Sequence, residues 1–227
     1  IETDNALKGG EGPADGDWMF ALEHFHVHSA NFIAQNTWTT DSLGVYRSNL
    51  VLENVPKIAM DDSDKSRILG EAKFLRAYQY FDLVKHFGDV PLITSSQVDP
   101  SKVVRNSKDS VWALVVQDLT DAAAVLPLKS ELSSSDLGRA TKGAAEAYLG
   151  KAYLYQHNFP QAEIWFEKVI ESNEYSLDPN FYHQFTIAGE FGPEDIWEIN
   201  HSYSPAFPAA ENHGTICQGS AGMYGYG

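Results

Sequence analysis

Residues 63–87 carry two apolar stripes at helical spacing. One stripe is Phe74, Ala77, Tyr78, Phe81 and Val84; the other is Leu69, Ala72, Tyr80, Leu83 and Phe87. A helix with water on one side needs a single stripe toward its core, so two stripes predict neighbours on two sides. This helix is therefore central. Ser63 or Asp64 is expected to open it, and Gly88 closes it at the position where glycine commonly ends a helix.

The remaining segments supply candidate neighbours. Residues 1–16 are rich in Gly, Asp and Glu and read as loop. Residues 18–33 read as helix in preference to an irregular aromatic stretch, and 36–41 as a polar break, after which Asp41 or Ser42 caps a helix with Leu43, Tyr46, Leu50 and Val51 on its apolar side. Residues 88–108 are irregular. Val111, Leu114, Val115, Leu119, Ala122 and Leu126 then mark a helix starting at Asp109 or Ser110 and stopped by Pro127. A Ser-rich loop leads to Thr141, which caps a helix with Ala145, Tyr148, Leu149 and Ala152 on one face. Asn158-Phe-Pro160 begins another helix that runs to about residue 173, since proline in a first turn forfeits no hydrogen bond. Residues 174–227 read as loops with room for one short strand, at 181–185 or 196–199.

Helix pairs joined by short turns raise the question of repeats. Leu149-Gly150-x-x-Tyr153 followed by Ala162-x-x-x-Phe166 is similar to the tetratricopeptide repeat, a helix pair of about 34 residues. The expected logic is size: Gly150 and Ala162 let two backbones approach while Tyr153 and Phe166 fill the space beside them. Glu146 and Glu174 depart from the pattern. Val115-x-x-x-Leu119-x-x-Ala122, ending at Pro127, has the spacing of a repeat's second helix. Its first helix would be 63–87, which makes 88–108 an insertion within that repeat.

Charge narrows the partners. The 227 residues hold 16 Lys and Arg against 31 Asp and Glu, a net charge of −15. Nucleic acid is disfavoured because such binding draws on basic side chains that neutralise phosphates, and an anionic membrane surface is disfavoured on the same ground. Neutral or cationic ligands fit better. With 43% hydrophobic residues the chain can bury a core. A single cysteine, Cys217, excludes an internal disulfide and a Cys-rich zinc site. No apolar run approaches the roughly 20 residues that cross a bilayer. The start at Ile1 and the Gly-rich end read as those of an excerpt from a longer protein.

Catalytic machinery is not evident. There is no G-x-S-x-G, no recognisable His partner for Cys217, and no carboxylate pair that stands out. Asn200-His-Ser202 is a glycosylation-type match too short to carry weight. His24-x-His26-x-His28 would share a face only in an extended segment, and no carboxylate follows at ligand spacing, so an ordinary polar loop or helix is favoured over a metal site. Arg76 and Asp118 interrupt apolar stripes on neighbouring helices and read as a buried structural ion pair, because an unpaired interior charge is very costly. Arg139, just before a helix start, is expected to bond carbonyls at a neighbouring helix end.

Gly70-Glu-Ala-Lys-Phe-Leu-Arg-Ala-Tyr-Gln-Tyr-Phe-Asp-Leu-Val-Lys-His-Phe-Gly-Asp-Val-Pro-Leu92 resembles the signature of the SusD/RagB family of bacterial surface glycan-binding lipoproteins. More of the pattern follows in order: Arg105-Asn-Ser107, Val111-Trp112, Asp118-Leu119, Leu126-Pro127, Gly138-Arg-Ala-Thr-Lys-Gly-Ala-Ala145, Lys151-Ala-Tyr-Leu-Tyr155, Tyr175-Ser-Leu177 and Glu194-Asp-Ile-Trp-Glu-Ile199. The resemblance spans about 41–200. It implies an all-α fold of tetratricopeptide-like helix pairs in a right-handed superhelical array with irregular loop-rich segments packed on it. In that layout 1–227 is a fragment of one domain, with 41–173 as scaffold and 1–40 and 174–227 as ligand-side segments.

The resemblance further implies a non-enzymatic glycan-binding protein, anchored by lipid in the outer membrane, that works with a TonB-dependent SusC-like transporter and needs no cofactor. The family's lipidated cysteine and its C-terminal portion have no counterpart in this sequence. Sugar rings stack their C–H faces on aromatics while nearby polar groups bond their hydroxyls, so the ligand candidates are Trp18, Asn36 with Trp38, Tyr203 and Phe207. Packing is the competing reading for each. Trp112 and Trp165 are assigned to the core. The alternative from another class is a helical-repeat scaffold that binds peptide along its concave face.

Overall fold

A computed structural model describes residues 17–199 of the chain. Its helices are α1 (Asp17–Glu23), α2 (Phe32–Asn54), α3 (Asp62–Phe87), α4 (Lys108–Val125), α5 (Lys142–Tyr155) and α6 (Phe159–Glu171), with short 3₁₀ turns between and after them. Among the described residues there is no strand, only an isolated antiparallel bridge between Val90 and Asn106. The chain divides into two compact units, Ile1–Glu131 with Ala140–Glu174, and Leu132–Arg139 with Tyr175–Gly227.

The first unit is all-α, built of tetratricopeptide-like helix pairs. Helix α2 packs on α3, α3 on α4, α4 on α5 and α5 on α6. Helix α3 has partners on both sides and touches α5 as well, as its two stripes require. Phe74, Ala77, Tyr80, Phe81, Leu83 and Val84 are all buried. The α3–α5 seam is aromatic: Tyr148 meets Phe74, Tyr78 and Phe81 edge-on at centroid distances of 5.6, 5.6 and 5.7 Å. Close approach of α3 and α4 depends on Gly70, where a Cβ would stand 2.5 Å from Val125 Cγ2.

The caps lie slightly upstream of expectation. Asp61, not Ser63 or Asp64, caps α3 by accepting from the Ser63 N–H, and Ser107 caps α4 by accepting from the Ser110 N–H. Thr141 caps α5 as expected, and Asn158 caps α6 just ahead of Pro160. Gly88, at φ 68°, ends α3.

Two larger differences concern α1 and α2. The helix expected over 18–33 stops at Glu23, and Phe25 adopts a left-handed φ of 55°. The expected break at 36–41 does not exist, because α2 runs through it from a cap at Asn31, whose side chain accepts from the Ile33 N–H. Polar residues break a helix only when their side chains compete for its backbone. Here Thr39 Oγ1 instead donates to the Gln35 carbonyl one turn back, 2.9 Å away, and leaves the ladder intact. The segment 1–40 thus contains α1 and the first turns of α2.

Helix α2 also turns the other way from its expected stripe. Its buried residues are Asp41, Val45, Ser48 and Asn49, while Leu43 and Tyr46 remain 43% and 44% exposed.

The role given to Gly150 needs correction in detail. A Cβ there would meet the Phe166 ring at 2.5–2.9 Å, so the glycine makes room for an aromatic ring and not for a second backbone. Ala162 is buried. Trp112 is core, but Trp165 is half-buried, with Lys168 Nζ 3.6 Å from its ring centroid.

In the second unit, residues 181–185 and 187–189 form 3₁₀ turns, and 196–199 have no regular structure. The Phe191 ring lies over Gly138, which has φ 88° and whose Cβ would stand 3.0 Å from the ring.

Candidate functional site

A polar network at the centre of the first unit fixes the site's platform. Arg76 on α3 grips Asp118 on α4 with two parallel bonds, Nε to Oδ2 at 2.7 Å and Nη2 to Oδ1 at 2.8 Å. Its Nη1 donates to Asn49 Oδ1 on α2 at 2.9 Å, and Asn49 Nδ2 donates in turn to the Ile93 carbonyl at 2.9 Å. Three helices and the 88–107 connection are joined in one chain of bonds. Burial pushes the Asp118 carboxyl up, and the Arg76 guanidinium opposes the shift. The expected ion pair is present, and its reach into the connection was not anticipated.

That connection is held at several points. Tyr80 on α3 accepts at its hydroxyl from the Ile93 N–H at 2.6 Å, and the hydroxyl lies 3.1 Å from the Ile93 carbonyl, which it can donate to. Glu53 near the end of α2 accepts from Ser95 Oγ at 2.8 Å, from the Ser96 N–H at 2.9 Å and from Ser96 Oγ. The Ser96 bonds, followed by that from Ser95, hold the Glu53 carboxyl below its ordinary value. At the neck, the Asn106 N–H donates to the Val90 carbonyl at 3.1 Å and Asn106 Oδ1 accepts from the Leu92 N–H at 2.9 Å. A segment that reads as irregular is thus pinned by side chains of two rigid helices.

The pinned connection and α2 enclose a cleft of about 310 Å³. Trp38, Ser42, Val45 and Tyr46 of α2 form one wall, Tyr80 and Leu83 of α3 the floor, and Val90, Pro91, Ile93, Val98 and Val103 the other wall. Trp38 is 39% exposed, and its ring makes a T-shaped contact with the Phe87 ring at 5.2 Å, so the indole is braced while part of the ring is open to solvent. Pro91, Ile93, Val98 and Val103 also line a neighbouring hollow of about 460 Å³, which adds Thr94, Ser95, Gln97, Asp99, Lys102 and Asn106. An aromatic, apolar cleft therefore adjoins a hollow with hydroxyl, amide, carboxylate and ammonium groups. Flat apolar faces beside hydrogen-bonding groups match the two surfaces of a sugar ring.

Of the residues singled out from sequence, Trp38 lines the cleft and Asn36 does not. Asn36 is exposed two residues earlier on α2. Trp18 belongs to α1, but its side chain is not described, and Tyr203 and Phe207 lie outside the described residues. Arg139 Nε pairs with Asp136 Oδ1 at 2.9 Å, within its own turn. His24 Nδ1 lies 2.9 Å from the Phe20 carbonyl, its ring against the Phe20 ring, and among the described residues no group of three or more His, Cys, Asp or Glu is placed to hold a metal ion. Sequence reasoning missed Tyr46 and the 90–106 wall. The signal available was Tyr46 itself, an aromatic two turns after Trp38.

A SusD-like family model, described as starch-binding and associating with the outer membrane, matches residues 15–154. Two SusD-like proteins of Formosa agariphila are similar to the chain. One is 29% identical over 73% of this chain and 32% of its own length, the other 30% identical over 70% and 33%. The chain spans about a third of the length of these curated relatives. Among solved structures, a laminarin-binding SusD-like protein is 32% identical, with a TM-score of 0.78 over 86% of this chain and 43% of that one. Surface glycan-binding protein A from Bacteroides uniformis is 26% identical, with a TM-score of 0.80 over 88% and 45%.

Proposed function

The chain belongs to the SusD-like family, and from that premise we propose that it captures oligosaccharide or polysaccharide without cleaving it, using the cleft beside Trp38 and its adjoining polar hollow. The observation that carries the reading is the pairing of a braced, partly exposed indole with a preorganised wall of hydrogen-bonding groups. Preorganisation matters because a sugar binds by many weak contacts, and ordering a loose wall at the moment of binding would consume much of their energy. Glycan capture needs no general acid or base. Asp99, the carboxylate lining the hollow, is held below its ordinary value chiefly by its bonds from Ser101 and so stays an acceptor.

Delivery of the captured glycan to a SusC-like TonB-dependent transporter, and a place on the cell surface through a lipid anchor, complete the proposal. The family's outer-membrane association supports both. Among the described residues no helix is long and apolar enough to cross a membrane.

The test is a glycan array on the protein at its full natural length, followed by calorimetry. Laminarin is the first probe, because a 32% identical relative is described as laminarin-binding. Saturable binding that weakens in Trp38→Ala is the expected result. Array-wide silence, or release of reducing ends from any bound polysaccharide, would overturn the proposal.

A further inference from the structure

Charge sits at one place in the hollow beside the cleft. Asp99 and Lys102 are its only charged lining residues, and Lys102 is the only cationic side chain lining either cavity. Arg105, close by in sequence, is exposed and lines neither. The two charged groups face each other across the 3₁₀ turn that Asp99 caps, with Lys102 Nζ 3.4 Å from Asp99 Oδ2. Asp99 Oδ1 accepts from the Ser101 N–H at 3.0 Å and from Ser101 Oγ at 2.7 Å, which fixes the carboxylate in the wall. The Asp99 and Lys102 side chains are 50% and 82% exposed, so a ligand in the hollow can reach both.

An acceptor beside a donor suits the hydroxyls of a sugar ring. A hydroxyl both donates and accepts, so one can give its proton to Asp99 Oδ2 while the next accepts from Lys102 Nζ. A uronate or sulfate group only accepts. It gains from Lys102 roughly what it loses against Asp99, and a chain with a net charge of −15 adds no attraction from further away. We propose that the Asp99–Lys102 pair makes the hollow selective for uncharged glycan, with Asp99 the specificity-determining residue because it cancels the one lining cation that would draw acidic sugars in. This rests on the glycan-capture reading and narrows it to neutral oligosaccharide and polysaccharide.

Calorimetry on the protein at its full natural length compares laminarin with laminarin whose primary hydroxyls have been oxidised to carboxylates. The native sequence should bind the neutral form about tenfold tighter or more, the worth of one hydrogen bond to a charged group. Asp99→Asn keeps an oxygen for the Ser101 bonds and leaves Lys102 unopposed. It should raise affinity for the oxidised form about three- to fivefold, the worth of one exposed charge contact, and the gain should shrink as salt is added. Adding Lys102→Gln to Asp99→Asn should abolish the gain.

Equal affinity of the native sequence for the two forms, or no gain in Asp99→Asn, would overturn the selectivity and leave glycan capture standing. Should the array show a different neutral glycan bound, that glycan and its oxidised form take the place of laminarin. An array on which only acidic glycans bind also overturns the selectivity alone. An array on which nothing binds overturns the capture reading, and the selectivity with it.

Discussion

Replacing Arg76 by leucine tests whether the platform depends on its buried charge pair. The substitution keeps an apolar side chain of moderate size in place, so the main loss is electrostatic. It strands the Asp118 carboxylate, whose side chain is 3% exposed, and removes the donor from Asn49 Oδ1. Breaking a buried pair by removing one partner costs about 3–5 kcal/mol, and an orphaned amide oxygen adds about 1 kcal/mol or more. Against a total domain stability of about 5–15 kcal/mol this is a large fraction.

Urea unfolding followed by circular dichroism should show the midpoint falling steeply with the slope unchanged. The pH dependence carries the sharper signature. Without the guanidinium only the smaller pull of Lys73 opposes the burial that raises the Asp118 carboxyl. The folded variant then holds a proton that the unfolded chain releases near pH 4, and its deficit relative to the native sequence shrinks on acidification from pH 7.5 to pH 5. The double replacement Arg76→Leu with Asp118→Leu removes both charges and should recover most of the loss. A single-variant loss under about 1 kcal/mol at pH 7, or a double variant no better than the single, would refute the reasoning.

Three further outcomes are expected. Gly150→Ala drives a methyl group into the Phe166 ring and should lower stability by about 1–3 kcal/mol, measured as a fall in Tm; an unchanged Tm would mean the ring swings aside freely. Trp38→Ala should weaken glycan affinity about tenfold by calorimetry, near 1.5 kcal/mol, with helix content intact by circular dichroism. Glu53→Gln withdraws the carboxylate that holds Ser95 and Ser96, and limited proteolysis should then cut within 94–104 while Tm stays at the native value.

How legible the fold was depends on which residues decide each element. Helices α3, α4 and α5 were readable because their apolar residues are their buried residues: Phe74, Val111, Val115, Leu119, Ala145 and Leu149 all have negligible exposure. The 88–107 connection was correctly irregular, but its order was hidden. It is fixed by Glu53, Asn49 and Tyr80, and the Glu53 and Asn49 partners lie 42 to 44 residues away in sequence, a separation over which no local pattern acts.

Helix α2 explains both the worst misreading and the site. A surface helix normally turns its apolar stripe inward, and a reading based on that rule assigns Leu43, Tyr46, Leu50 and Val51 to the core. The structure turns Asp41, Val45, Ser48 and Asn49 inward, and Asn49 completes the Arg76 network. Satisfying Asn49, which bonds both Arg76 and the Ile93 carbonyl, fixes the rotation of the helix, and that rotation leaves Trp38, Leu43 and Tyr46 partly open to water. The exposed aromatics are thus a consequence of the buried polar contacts. A helix with three polar residues among its four buried ones, and with its aromatics exposed, breaks the usual pattern beside the proposed cleft.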